Sequence, residues 1–147
     1  MAILLALAAP SFTPIIERWR VRSAAESLTS TLYYARSEAI KRGGGITIDA
    51  GSDWNAGWGV YQNGTPDALQ VNPAPNKVSI AQSNSNKTIL YIDRWGMVSD
   101  DNKGIPAAMN MAIYPKDKTD TDISAIRLCI GLGGRIVQMK QGAACPT

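Results

Sequence analysis

The chain has 147 residues, 15 Lys and Arg against 12 Asp and Glu, a net charge of +3 and no histidine. That length holds one domain with a single core, and a hydrophobic fraction of 45% is ordinary for a globular protein. The missing histidine removes the usual general base, the Ser-His triad and the commonest metal ligand together. The small positive balance permits contact with nucleic acid or an anionic surface without requiring it.

The first segment, Ala2 to Ala9, is apolar: Ile3, Leu4, Leu5, Leu7 and the alanines between them suit lipid or other helices. Spanning a bilayer takes roughly 20 apolar residues, whereas about eight precede Pro10. The segment lacks the basic n-region and cleavage site of a signal peptide. Residues 1–13 are therefore expected to be the remnant of a longer hydrophobic assembly or membrane helix. The alternative is the first turns of a helix buried in the fold.

Residues 14–42 predict one long amphipathic helix. Thr13 is the expected N-cap, Pro14 suits the first helical position, and Glu17 sits where a negative charge complements the helix dipole. Val21, Ala25, Leu28, Leu32, Ala35 and Ala39 recur at steps of four and three and form one buried stripe. Arg20, Ser27, Ser30, Arg36 and Lys41 fall mostly outside it. Lys41 and Arg42 followed by Gly43-Gly44-Gly45 make the stop.

Residues 43–147 predict a β-rich head. Strands are expected at Ile46–Asp49, Gly57–Tyr61, Val78–Ile80, Thr88–Ile92, Met109–Tyr114, Ile126–Ile130 and Ile136–Met139. Asn63-Gly64 is a turn signal, and residues 63–77, with Pro66, Pro73 and Pro75, read as a loop. A helix followed by a run of antiparallel strands is an α+β architecture, the apolar face of the strands packing on the helix.

Cys129 and Cys145 do not have the spacing of a redox or zinc motif. Paired, they close a loop of about 15 residues, worth on the order of 3 kcal/mol by chain entropy. A structural disulfide is expected, which implies an oxidising compartment such as a periplasm or cell surface. Two free buried cysteines are the alternative.

Other groups carry less chemistry. Asp117, Asp120 and Asp122 offer oxygen ligands but lack the pattern and glycine of a calcium loop, and a solvated loop is the expected reading. No base or nucleophile accompanies them, so neither catalytic residue, cofactor nor metal site is expected. Trp54 and Trp58 offer a stacking surface, although core packing over the helix is favoured. Trp19 with Arg18, Arg20 and Arg22 makes a basic aromatic collar, suited equally to lipid headgroups or a neighbouring subunit and to a solvated helix face.

The segments Tyr34-Ala35-Arg36-Ser37-Glu38-Ala39-Ile40-Lys41-Arg42, Trp54-Asn55-Ala56-Gly57-Trp58-Gly59-Val60-Tyr61, Asp93-Arg94-Trp95-Gly96 and Gly133-Gly134-Arg135 resemble those of the GspH/FimT/FimU group of minor pilins and pseudopilins. Ala2 to Phe12 resembles the second half of a pilin's hydrophobic helix. The prepilin processing motif and the glutamate that follows it are missing, as in a truncated soluble form. The resemblance implies a pilin-like fold and an inner-membrane protein with its head in the periplasm. Such a protein is extracted into a pilus filament or its tip, where Ile3, Leu4, Leu5, Leu7 and Phe12 bury against other major and minor pilins.

Three roles follow from the resemblance: a non-catalytic minor pilin of a type IV pilus, a type II secretion pseudopilin, or a minor pilin that binds double-stranded DNA for transformation. FimT-like proteins resemble one another in a C-terminal Gly-Arg-x-Arg that contacts DNA. Here Gly134-Arg135-Ile136-Val137 keeps the first arginine and has Val137 in place of the second. The candidate DNA-binding residues are Arg135, Lys140 and Arg127. A loss of one phosphate contact weakens such binding and lowers its salt slope by about one, which favours the structural role.

Overall fold

The computed structural model describes residues 12–83 and 87–146. Ile3, Leu4, Leu5 and Leu7 of the expected assembly helix lie outside them. Among the described residues one helix, α1 (Thr13–Arg42), is followed by nine strands: β1 (Ile46–Asp49), β2 (Gly57–Gln62), β3 (Ala68–Pro73), β4 (Val78–Gln82), β5 (Ile89–Ile92), β6 (Val98–Ser99), β7 (Met109–Pro115), β8 (Ile126–Ile130) and β9 (Ile136–Lys140). A short 3-10 turn, Trp54–Ala56, leads into β2. The long helix on antiparallel strands is as expected.

The strands form two sheets. The first has the order β3-β2-β1-β5-β6 and the second β4-β7-β8-β9, with antiparallel neighbours throughout. Helix α1 packs on β1 and β5 of the first sheet and on β4, β7 and β8 of the second. Val21, Ala25, Leu28, Leu32, Ala35 and Ala39 are all fully buried, as the periodicity requires. They meet Ile46 and Ile48, Leu90 and Ile92, and the inward residues Met109, Met111 and Ile113 of β7. Period-2 alternation along β7 puts those three on one face.

The segment expected to be a loop at 63–77 contains a strand, β3. Its three prolines read as breakers, but β3 is the outer strand of its sheet, and a proline such as Pro73 is tolerated there because its missing N–H faces no neighbour. The turn before it is as expected: Thr65 N–H donates to the Gln62 carbonyl at 3.1 Å across Asn63-Gly64, with Gly64 at φ +83°. Two-residue β6, the opposite outer strand, is too short to leave a pattern in sequence.

The helix start also differs. Phe12 already has helical backbone angles, φ −86° and ψ −22°, and its carbonyl accepts from Ile16 N–H at 3.1 Å. Thr13 therefore lies inside the helix and cannot take the extended conformation an N-cap needs. Glu17 is consequently past the first turn and is held by a partner in the head. The C-terminal stop is as expected: Gly43 is left-handed at φ +79°, and Gly44 N–H reaches the Ala39 carbonyl at 2.7 Å.

Candidate functional site

Three of the four motif segments meet at one side chain, Arg36. It leaves α1 on the flank of the buried stripe, half-buried, and its guanidinium donates to two backbone carbonyls. Nε reaches Gly96 O at 2.7 Å, and Nη1 reaches Gly134 O at 2.5 Å. One carbonyl belongs to the loop between β5 and β6 of the first sheet. The other belongs to the β8–β9 hairpin of the second. A single planar fork thus ties the helix to both sheets, a geometry that a lysine ammonium does not reproduce.

The glycines at this junction are needed for space as well as for backbone shape. Gly134 has φ +75°, and a Cβ there would lie 2.8 Å from Arg36 Cζ and Nη2 and from Gly96 O. Gly96 has φ +77°, and its Cβ would meet Ile40 Cδ1 at 3.2 Å and Arg36 Nε at 3.3 Å. The fourth segment attaches one turn earlier on the helix: Trp58 Nε1 donates to Thr31 Oγ1 at 3.1 Å, and Trp54 Nε1 to the Lys87 carbonyl at 2.8 Å. Both tryptophans are buried, as favoured from sequence, with ring centroids 6.4 Å apart.

Two ionic clusters brace the helix ends. Near its C-terminus, buried Glu38 accepts from Arg42 Nε at 2.6 Å and lies 3.7 Å from Lys41 Nζ. The Arg42 bond holds the Glu38 carboxyl below its ordinary range against the opposing effect of burial. Arg42 Nη1 also donates to Gln62 Oε1 of β2 at 2.5 Å. Near the N-terminal end, Lys118 bonds Glu17 at 2.6 Å and Asp122 at 3.3 Å. The Glu17 bond foremost, then that to Asp122, raises the Lys118 ammonium, while the Ser124 backbone N–H holds Asp122 low. Asp122 is thus engaged within the protein rather than offered as a ligand, and Asp117 and Asp120 are exposed.

Cys129 and Cys145 form the expected disulfide, Cα to Cα 5.6 Å, pinning the C-terminal tail to the outer face of β8. The candidate DNA-binding cations are spread. Arg135 is exposed on the hairpin, at the rim of an open apolar cleft of about 580 Å³ floored by Met109, Ile130, Val137 and the disulfide. Arg127 is opposite Met139, and its Nη1 donates to the Ala143 carbonyl at 3.3 Å. Lys140 is opposite Ile126, on the face from which Gln138 reaches Thr29 of the helix at 3.0 Å. Cross-strand partners share a face and successive residues alternate, so Arg127 and Lys140 point to opposite sides of the sheet. Arg135 lies about 16 Å along β9 from Lys140.

Phe12 is 58% exposed, and the collar residue Trp19 is 68% exposed. Among the described residues no helix is long and apolar enough to cross a membrane. Arg36 was missed in sequence because it falls outside the apolar stripe and so reads as a solvent-facing cation. Only the two distant Gly-containing motifs signalled it, each placing a glycine where a guanidinium must pass.

The family model for the type II transport protein GspH matches residues 24–134, a span that contains the whole Arg36 junction. The chain belongs to the GspH family. Among solved structures, this GspH-family chain is similar to the type IV minor pilin FimU of Pseudomonas aeruginosa (strain PAO1) in two crystal forms. In one, 26% identity accompanies a TM-score of 0.66 over 84% of this chain and 96% of FimU. In the other, 26% identity accompanies a TM-score of 0.69 over 87% and 94%. The curated proteins contain no match to this sequence.

Proposed function

We propose that this chain is a non-catalytic minor pilin subunit that supports initiation or the tip of a type IV pilus. The observation that carries this reading is the fastening of a long helix to both sheets of the head at Arg36, in a chain similar to nearly all of each FimU chain it matches. A subunit extracted from a membrane into a filament must carry force along its helix into its head. A helix fastened to both sheets by charge-assisted bonds suits that task. Residues 1–13 are then the continuation of the assembly helix, 14–42 the stalk and 43–147 the head. The protein resides in the inner membrane before assembly and in the pilus afterwards, with other pilins as partners.

Deleting the gene in its host and counting surface pili tests this. Loss of pili restored by the native chain, together with crosslinking of its helix to other pilins, is the expected result. Normal piliation with no crosslinked pilin partner would sink the proposal. The family description favours a second reading, a pseudopilin of type II secretion. Secretion lost while piliation stays normal is its signature. DNA capture through Arg135, with Lys140 and Arg127, is a third reading, supported by the exposed position of Arg135. It requires duplex DNA to bind at about 50 mM salt and Arg135→Ala to weaken that binding.

A further inference from the structure

Among the described residues the two sheets have four outer strands, and three of these edges are closed to further pairing. β3 ends in Pro73, and its pairing with β2 shifts register between Val60 and Tyr61. β4 is covered by the 54–56 turn, where Asn55 Oδ1 accepts from the outward Ile80 N–H at 2.7 Å. β6 is two residues long, and its Val98 carbonyl accepts from Ala107 N–H at 3.1 Å. Proline, irregular register, brevity and a covering loop are the means by which folded sheets prevent unwanted pairing.

The fourth edge, β9, has none of them. Its five residues contain no proline and keep unbroken register with β8. Gly131 N–H donates to the Arg135 carbonyl at 2.8 Å, and Gln141 N–H to the Ala125 carbonyl at 3.1 Å. Those bonds fix the ladder: Val137 and Met139 turn their backbone groups to β8, whereas Ile136 and Gln138 turn theirs outward. Among the described residues, the outward N–H and C=O groups of Ile136 and Gln138 meet no partner. Gln138 and Lys140 are exposed, so the edge is open to solvent.

The outer face beside this edge is apolar, with cations at both ends. Val137 and Met139 are half-buried there, and Val137 lines the cleft of about 580 Å³ that has Arg135 at its rim. Neither Arg135 nor Lys140 forms an ion pair among the described residues. We propose that β9 is the docking edge for an extended acidic segment of another protein, which adds antiparallel as a fifth strand of the second sheet. Its residues opposite Val137 and Met139 are apolar and lie on the outer face beside the cleft. Its residues opposite Arg135 and Lys140 are carboxylates.

Backbone and charge select this occupant. An extended chain offers a donor and an acceptor at every second residue, matching the outward groups of Ile136 and Gln138. Nucleic-acid phosphates have no donors for those two carbonyls. A second copy pairing edge to edge would bring two arginines and two lysines into one seam, which like-charge repulsion opposes. The proposal rests on the edge alone and stands whether or not the pilus reading does.

The probe is the synthetic peptide Glu-Val-Thr-Val-Thr-Glu, blocked at both ends, whose threonines fall opposite Gln138 and Ile136. In an amide NMR titration of the whole chain, it should move the Ile136 and Gln138 signals and slow their hydrogen exchange. N-methylating the two threonines removes the donors aimed at β9. It should weaken binding about fivefold per bond, about twenty-fivefold together. N-methylating the two valines, whose N–H groups face away from β9, should leave binding nearly unchanged. Replacing the last Glu by Lys should weaken binding to the native chain and strengthen binding to Arg135→Glu. Gln138→Pro should abolish binding, since its N–H takes no part in the β8 ladder and its side chain bonds only Thr29. An unchanged circular dichroism spectrum verifies the fold of each variant, and the methylated peptides need no variant. No response at Ile136 and Gln138, or equal affinity of the two methylated peptides, overturns the proposal. So does dimerisation that protects those amides before peptide is added, which assigns the edge to a second copy.

Discussion

Gly134→Ala is the most informative single substitution, because two other glycines separate the causes of its cost. Gly133 is in the same turn, without positive φ and with nothing within 4 Å of a built Cβ. Its alanine variant should change stability by no more than about 0.5 kcal/mol. Gly142 has the same φ as Gly134, +75°, and open space around it, so Gly142→Ala should cost only the left-handed backbone term, about 1–2 kcal/mol. Gly134→Ala adds a contact at 2.8 Å with Gly96 O, backbone that cannot swing aside, and with the Arg36 guanidinium. Overpacking contributes about 1–3 kcal/mol, and a displaced charged hydrogen bond about 1.5–3 kcal/mol. The expected total is about 3.5–8 kcal/mol. At about 2–4 °C per kcal/mol for a chain of this size, the melting temperature should fall by at least about 7 °C. Urea unfolding followed by fluorescence of buried Trp54 and Trp58 measures all three variants. A Gly134→Ala loss no larger than that of Gly142→Ala would refute the packed junction at Arg36.

Three further outcomes follow from the same geometry. Arg36→Met should cost about 2–4 kcal/mol by leaving the Gly96 and Gly134 carbonyls without donors, and Arg36→Lys should recover only part of it; urea midpoints compare the three. Reducing the Cys129–Cys145 disulfide should lower stability by about 3 kcal/mol, read as a shift in the urea midpoint with dithiothreitol, and no shift contradicts a structural role. The pH profile has a definite sign. Asp122 and Glu38 are held below their ordinary values of 3.8 and 4.5, so their contribution is complete above about pH 4.5 and is lost as pH falls through their lowered folded values. Lys118 is raised above 10.5, so its contribution is complete below that value and is lost as pH rises beyond it. Stability should be level through neutral pH and decline at both extremes, and Asp122→Asn should flatten the acid limb in urea titrations at stepped pH.

The helix, the buried stripe and most strands were legible because each is a local pattern. Six apolar side chains at helical spacing leave one way to hide them, and alternation along β7 leaves one face for Met109, Met111 and Ile113. The prolines at 66, 73 and 75 misled because breaking a strand and bordering one look alike until the strand's place in the sheet is known. Thr13 misled because a cap depends on the conformation of the preceding residue, and Phe12 is already helical.

Sequence by itself determined that this is an α+β chain with one long amphipathic helix, a β-rich head and a C-terminal cysteine pair. It also supplied the motif segments that resemble those of the GspH/FimT/FimU group. Local periodicity and turn chemistry carry that much. Only the tertiary structure decided that the strands split into two sheets, that Arg127 and Lys140 lie on opposite faces, and that Arg36 is the fastening between helix and head. Those facts depend on contacts between residues as many as 109 positions apart. Such contacts are fixed by how the sheets pack, which no local pattern encodes.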